Sequence, residues 1–419
     1  MSEVSILVGA QWGDEGKGKW VDILAAGVDI VARFQGGNNA GHTLYVDGKK
    51  IVLHQLPSGI FHNKISALLS GVVVNPVQLV KEMHAQASFV KLSAEKLWIS
   101  DKAHVITPYH IYLDKKNEEN SEQAIGTTKR GIGPTYSAKV DRIGMRMQTY
   151  IQEKERKEWI RQMQADSQEF LKAFQQDPSA WDEFEAAATE LQAFVQAAEQ
   201  RVREQLNLGK SLLLEGAQGT LLDINHGTYP FVTSSCTIAG GAVSSLGIDP
   251  RRVTRIYGVS KAYVTRVGNG PFPSELHDEV GKIIGEKGHE FGATTKRPRR
   301  CGWFDAVAMK YAVEVNGFDS IFINKMDILN DFKELKIASS YSHPTLGELR
   351  DFPSDRDILE QCIPQYETFP GWVGSPSGCG KEPLCQEAER YIKRIEELCH
   401  VKVSMIGTGP GRDDFIERI

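Results

Sequence analysis

The strongest constraint on how this chain can fold is a glycine-rich loop near its start. Val4 to Val8 is a short apolar run, and Gly13-Asp14-Glu15-Gly16-Lys17-Gly18-Lys19 follows it with the spacing GxxxxGK. Glycines let backbone N–H groups converge on phosphate oxygens, and a lysine adds positive charge. The motif needs a preceding strand, and the apolar run supplies one. A glycine turn of purely structural purpose is the competing reading. The next residue is Trp20, where the usual loop carries a Ser or Thr hydroxyl for Mg²⁺. Asp14 is then the obvious hard oxygen ligand for that metal. A carboxylate among phosphates repels them unless a cation lies between, so Asp14 hints at chemistry beyond simple hydrolysis.

Similar apolar runs recur at Val28 to Phe34, Leu68 to Val74, Ser211 to Leu214, Arg255 to Val259, Ser320 to Ile323 and Val401 to Ile406. Short β-rich runs that empty into Gly, Asn or Thr loops predict a mostly parallel central sheet with flanking helices. Ligands bind at the carboxyl ends of such strands, so the polar residues after each run become site candidates together. With the phosphate loop, this is an α/β fold of the P-loop GTPase-like kind. Tyr150 to Leu206 differs, being rich in Glu, Gln, Lys and Ala with spaced aromatics such as Trp159, Phe170, Phe174 and Phe184. It predicts two or three amphipathic helices broken near Asp177-Pro178, a helical subregion at about 150–206 packed on the sheet. Phe369 to Gly380, rich in Pro and Gly, is expected as a surface loop. The 419 residues alone would admit several domains, but large α/β enzymes often run as one unit, so 1–419 is expected to form a single large domain.

Ile321-Phe322-Ile323 leads into Asn324-Lys325-Met326-Asp327, an NKxD motif at a strand end. Its aspartate can accept from guanine N1–H and the 2-amino group together, a donor pair adenine lacks, so it selects GTP over ATP. The bland reading is a capped helix start. Three further glycine-rich segments stand after apolar runs or near them: Gln35 to Thr43 with His42, Gly126 to Arg142, and Glu215 to Thr220. Phe231 to Ser235 supplies hydroxyls, and Lys296-Arg297-Pro298-Arg299-Arg300 packs four bases into five positions. A lone histidine is usually a satisfied polar residue, but Asn and Gly around His42 favour a tight polar site. The basic run suits a small-anion clamp or, as a rival reading, nucleic acid. Two sets of anion-binding features exceed what a single-nucleotide switch needs.

Composition narrows the classes. Hydrophobic residues at 41% and charged residues at 25% fit a globular chain with a sizeable core. A net charge of −5, from 49 basic and 54 acidic residues, argues against a general nucleic-acid or membrane binder. No apolar run approaches the roughly 18 residues of a membrane span. The N-terminal segment lacks the basic head and cleavage site of a signal peptide. The six cysteines, Cys236, Cys301, Cys362, Cys379, Cys385 and Cys399, form no CxxC pair. Free thiols in a reducing cytoplasm are expected.

On these residues the chain resembles the adenylosuccinate synthetase family, from Gln11-Trp12-Gly13-Asp14-Glu15-Gly16-Lys17-Gly18, through Gly131-Ile132-Gly133-Pro134-x-Tyr136-x-x-Lys139-x-x-Arg142 and NKxD, to Gly407-Thr408-Gly409-Pro410. The resemblance implies a GTP-dependent ligase that joins IMP to L-aspartate through a 6-phosphoryl-IMP intermediate in AMP biosynthesis. It implies Asp14 as the base for N1 of IMP, His42 as acid partner and Gln218 as the residue orienting the 6-oxygen. Mg²⁺ would be held by Asp14 and the Gly41 carbonyl. GTP would meet Gly13, Asp14, Glu15, Gly16, Lys17, Gly18, Lys19, Gly41, His42, Thr43, Arg299, Lys325, Met326, Asp327, Gly407, Thr408 and Gly409. IMP would meet Asp14, Glu15, Gly16, Lys17, Asn39, Ala40, Gly41, His42, Thr128, Gln218, Thr233 and Arg297, with Arg142 reaching the IMP phosphate of a neighbouring subunit in a homodimer. Ala293, Thr294, Thr295, Lys296, Arg297, Pro298 and Arg299 form the implied aspartate loop.

Four positions depart from the family's habit: Lys129, Lys296, Pro298, and Gly407 where a serine often stands. They bear on the affinities for aspartate and guanine nucleotide. A regulatory GTPase without ligase activity shares the phosphate loop and NKxD, but leaves His42, Gln218 and the basic run without a task.

Overall fold

Six of the apolar runs become strands of one sheet. The computed structural model describes residues 3–46, 48–120, 126–292, 298–376 and 384–418. The ten strands are β1 (Val4–Gly9), β2 (Ile30–Arg33), β3 (Ile65–Leu68), β4 (Leu97–Ser100), β5 (Val195–Gln196), β6 (Leu212–Glu215), β7 (Arg255–Lys261), β8 (Ser320–Asn324), β9 (Lys402–Gly407) and β10 (Phe415–Glu417). Their order is β10-β9-β8-β7-β1-β6-β2-β3-β4-β5. Every neighbouring pair is parallel except β9 with β10. Strands β1, β2, β6 and β8 are buried along their whole length, which is why they read as unbroken apolar runs.

Parallel strands put all their carboxyl ends on one side. The chain runs to one side of β1 for β2 to β5 and to the other for β7 to β10. The loops after β1, β2, β6, β7, β8 and β9 therefore gather over the middle of the sheet, where such folds bind ligands.

Leu68 to Val74 is the run that behaves differently. Only Leu68 belongs to β3, and Val73–Val74 pairs separately with His104–Val105. The polar Ser66 and small Ala67 hid the true strand, and Gly71 breaks the run. A Cβ at Gly71 would sit 2.1 Å from the Phe34 carbonyl oxygen, so no side chain fits there.

Helix α1 (Lys17–Ala25) covers one face of β1. Leu7 of β1 joins Trp20 and Val21 of α1 with Phe322 in one cluster, while Val4, Ile6 and Val8 face the main core opposite. Trp20 is fully buried and packs on Phe322 and Phe415. The residue that replaces the usual metal hydroxyl is thus the anchor of α1. The 150–206 stretch holds four α-helices rather than the two or three expected, Glu153–Asp166, Gln168–Gln176, Pro178–Leu191 and Ala198–Asn207, because Ser167 starts a new helix as well, and β5 is threaded through it as an edge strand. The break falls at Asp177, whose carboxylate accepts from the Ala180 amide at 3.1 Å. Phe170, Trp181 and Phe184 form the core beneath.

A second sheet, built on Glu334–His343 with Gly347–Leu349 and Ile363–Pro370 antiparallel to it, was not foreseen. Phe369 belongs to that sheet, and 377–380 of the expected surface loop lie outside the described residues. Among the described residues, Cys236, Cys301, Cys362, Cys385 and Cys399 are free thiols, and no helix is long and apolar enough to cross a membrane.

Candidate active site

The glycine-rich loop is held by its own side chains. Gly16 caps α1 with φ 81°, and a Cβ there would lie 2.8 Å from Asn324 Nδ2. A left-handed, close-packed position of this kind needs glycine. Asn324, the first residue of NKxD, donates from Nδ2 to the Glu15 carbonyl at 2.6 Å. Glu15 is buried and accepts from the amides of Gln11 (2.9 Å) and Gly13 (2.8 Å). Lys17 Nζ donates to Glu15 Oε2 at 2.7 Å and to the Gly13 carbonyl at 3.0 Å. Lys19 Nζ donates to the carbonyls of Gly409 (2.8 Å) and Asp414 (2.7 Å), and burial lowers its pKa to about 8. Both lysines brace the loop, which leaves the N-terminal end of α1 facing the cleft with its positive dipole.

Asp14 projects from this loop. Its Oδ2 lies 3.0 Å from Arg299 Nε, a charge contact without hydrogen-bond alignment, since both atoms are buried and unmatched as donor and acceptor. Burial raises the Asp14 carboxyl above its ordinary range, and Arg299 and Lys261 oppose that rise. Among the described residues no three His, Cys, Asp or Glu side chains converge as a metal site.

His42 opens the strand His42–Val46 beside α1. Its Nδ1 sits 2.5 Å from Glu215 Oε1, at the end of β6. Glu215 is completely buried and also accepts from the Ser58 hydroxyl (2.7 Å) and the Ser58 amide (2.8 Å). Burial pushes His42 down against the pull of Glu215, while the His42 bond and Arg33 bring Glu215 below its ordinary value in spite of burial. A carboxylate on Nδ1 fixes the ring and makes Nε2 the nitrogen available to the cleft. In the sequence Glu215 reads only as part of a strand exit. The signal was there in a Glu ending an apolar run, but its partner lies 173 positions away.

Gln218 sits two residues beyond a glycine after β6, with φ 55° and a buried, unpartnered Oε1. Lys325 is also left-handed, with φ 68°, and its Nζ donates to the Gly288 carbonyl at 2.7 Å. Non-glycine residues in this region carry strain that is typical of functional sites. Asp327 lies in the short turn Met326–Leu329, and burial raises its carboxyl.

One cleft of about 1820 Å³ unites most of the candidates. It is lined by Gly13 to Lys19, Asn39 to Thr43, Thr128, Gln218, Thr233, Arg299, Lys325, Asp327 and Gly409. Met326 is fully buried and does not line it. Gly407 and Thr408 do not line it, and Gly407 packs on Asn324. Arg142 is exposed and does not itself line the cleft, although its neighbours Asp141 and Ile143 do. Pro298 bridges Phe291. Ala293, Thr294, Thr295, Lys296 and Arg297 lie outside the described residues.

Comparison with known proteins agrees over the full length. The sequence model of the adenylosuccinate synthetase family matches residues 6–416. An adenylosuccinate synthetase of Heliobacterium modesticaldum is 48% identical, covering 100% of this chain and 99% of that one. One from Lactococcus lactis is 44% identical, covering 97% and 96%. The fully ligated adenylosuccinate synthetase of Plasmodium falciparum superposes with a TM-score of 0.94 at 38% identity, covering 100% of both chains. The succinoaminodeoxyadenylate synthetase of cyanophage S-2L shares the fold, with a TM-score of 0.64 at 21% identity over 100% of this chain and 95% of that one. The phosphate loop, the guanine motif and the His42 strand exit thus sit in one cleft of a chain that belongs to the adenylosuccinate synthetase family.

Proposed function

We propose that this cleft performs the family's ligation as follows. IMP and L-aspartate are joined to adenylosuccinate in AMP biosynthesis, and GTP is converted to GDP and phosphate. An amide-like 6-oxygen is a poor leaving group. Asp14 takes the N1 proton of IMP, which moves electron density onto O6. O6 then attacks the γ-phosphorus of GTP and GDP leaves. The aspartate amine attacks C6, the C6–O bond breaks, and the 6-oxygen departs on phosphate. His42, held through Nδ1 by Glu215, stabilises charge at the transferring phosphoryl group from Nε2. Gln218, with its unpartnered amide oxygen, orients the purine 6-position. Lys325 and Asp327 read guanine.

Asp14 and the Gly41 carbonyl suit Mg²⁺, which takes one or two protein oxygens beside substrate phosphates and water. Asp14 and Gly41 line the same cleft, and the Asp14 carboxylate would have to turn from Arg299 towards the ion. When bound, the ion would neutralise charge between the phosphates and the carboxylate. The remaining IMP contacts are Asn39, Thr128, Thr233 and Arg297, and the 293–299 segment takes aspartate. Arg142, exposed beside Val140 and Ile143, serves the partner's site in a homodimer, and the enzyme works in the cytoplasm.

The observation that carries this reading is Asp14 itself. A carboxylate inside a phosphate loop, in one cleft with His42 and its buried partner Glu215 behind it, has no use in a nucleotide switch. A nucleic-acid role for the basic run is disfavoured because Arg299 and Arg300 are already paired with Glu290 and Glu275. IMP labelled with ¹⁸O at position 6 is the test. The label is expected in the released phosphate. Label found in water, with unlabelled phosphate, would contradict the phosphoryl intermediate.

A further inference from the structure

Behind Asp14 lies a buried ionic cluster whose central carboxylate none of the steps above uses. Glu290 is its hub and its carboxylate has no solvent exposure. Oε2 accepts from Lys261 Nζ at 2.8 Å and from Arg299 Nη1. Oε1 accepts from the Tyr263 hydroxyl and lies 3.8 Å from Lys325 Nζ. Lys261 donates onward to Thr265 Oγ1 at 2.6 Å. Three cations thus surround one carboxylate, whose pKa they pull down to about 2 against the effect of burial.

The same residue closes the base of the basic segment through its backbone. The Arg299 amide donates to the Glu290 carbonyl at 2.9 Å, and Phe291 bridges Pro298 just inside that pair. Lys325 is tied to the same stem through the Gly288 carbonyl. Arg299 is therefore gripped at Nη1 by Glu290 while its Nε faces Asp14. A guanidinium fixed on one edge presents its other edge in a set direction, and an unfixed one must be ordered each time a carboxylate binds.

We propose that Glu290 is a positioning residue for L-aspartate capture: its buried carboxylate fixes Arg299 beside Asp14 and links that arginine to the guanine-side Lys325. This rests on the ligase reading of the cleft. Glu290 touches no substrate and acts through Arg299. A buried carboxylate needed only for folding would affect all substrates alike.

The test is E290Q, R299K and the double variant of the full chain, with KM measured separately for L-aspartate, IMP and GTP. E290Q is expected to raise the aspartate KM about tenfold or more, with the IMP KM changed less than about twofold. In the R299K background E290Q should add little, because both changes remove one brace. E290D, which keeps the charge with a shorter reach, should fall between wild type and E290Q. If E290Q does not fold, E290D with R299K runs the same cycle. Equal rises in all three KM values, or additive effects of the two changes, would overturn the proposal. Hydrogen exchange over 288–292 and 298–300 reads the brace without turnover. Faster exchange there in E290Q, with β1 unchanged, is expected, and unchanged exchange counts against the brace. Absence of product from the wild type would sink the ligase reading instead.

Discussion

Glu215 shows what a single buried side chain adds to a motif. It carries no substrate contact in the proposed scheme, yet it sets which nitrogen of His42 meets the cleft. E215Q keeps an acceptor for Nδ1–H but loses the charge that supports an imidazolium. Its kcat is expected to fall on the order of 10²-fold, with the IMP KM nearly unchanged, in steady-state assays. At the guanine end, Asp327→Asn should move preference from guanine towards xanthine nucleotide, because an amide can donate to the xanthine 2-oxygen. The KM for GTP should rise roughly 10- to 100-fold, the worth of a charged hydrogen bond, and competition between GTP and XTP measures the shift. Asp14 and Asp327 were legible because they stand in short patterns with a mechanism, and His42 because it stands in a glycine-rich strand exit, whereas a role for Gln218 came only with the family resemblance. Glu215, Glu290 and Lys261 were not legible. Their roles come from partners far away in sequence, or from burial, and no local pattern encodes either.

The elements explain why the motifs converge. Asn324 ends β8 and braces the loop after β1, so the proposed guanine reader and the glycine-rich loop share one hydrogen bond. Gly407 ends β9 against that asparagine, and a Cβ there would come 2.6 Å from Asn324 Oδ1. G407S is expected to push Asn324 off the loop and raise the GTP KM several-fold. Titration with a fluorescent guanine nucleotide checks this, and unchanged affinity would show that Asn324 can give way. Apolar runs revealed the central strands because β1, β2, β6 and β8 are buried on both faces. Strands β4, β5 and β10 and the sheet on Glu334–His343 escaped notice. β5 and β10 are short edge strands, and Ile363–Pro370 mixes exposed with half-buried residues. The helical stretch was read correctly at Asp177-Pro178, where cap and proline coincide, but β5 within it is only two residues long.

At the scale of the whole molecule, the proposed homodimer makes a sharp forecast. If Arg142 completes the partner's site, D14N and R142A chains should each be nearly inactive alone. Mixing them with subunit exchange should restore about a quarter of wild-type activity, since half the dimers are hybrids with one intact site each. Absence of complementation in proven hybrids would place Arg142 in its own chain's chemistry or in none. The sheet order that gathers six strand ends, the shared cleft and the family membership all bear on one claim: the chain couples GTP cleavage to carbon–nitrogen bond formation. The most direct measurement follows adenylosuccinate by ultraviolet absorbance with IMP, L-aspartate, GTP and Mg²⁺ present, then with each omitted in turn. Product should form only in the complete mixture, with one phosphate released per product. Phosphate release from GTP that ignores IMP and aspartate would contradict the account.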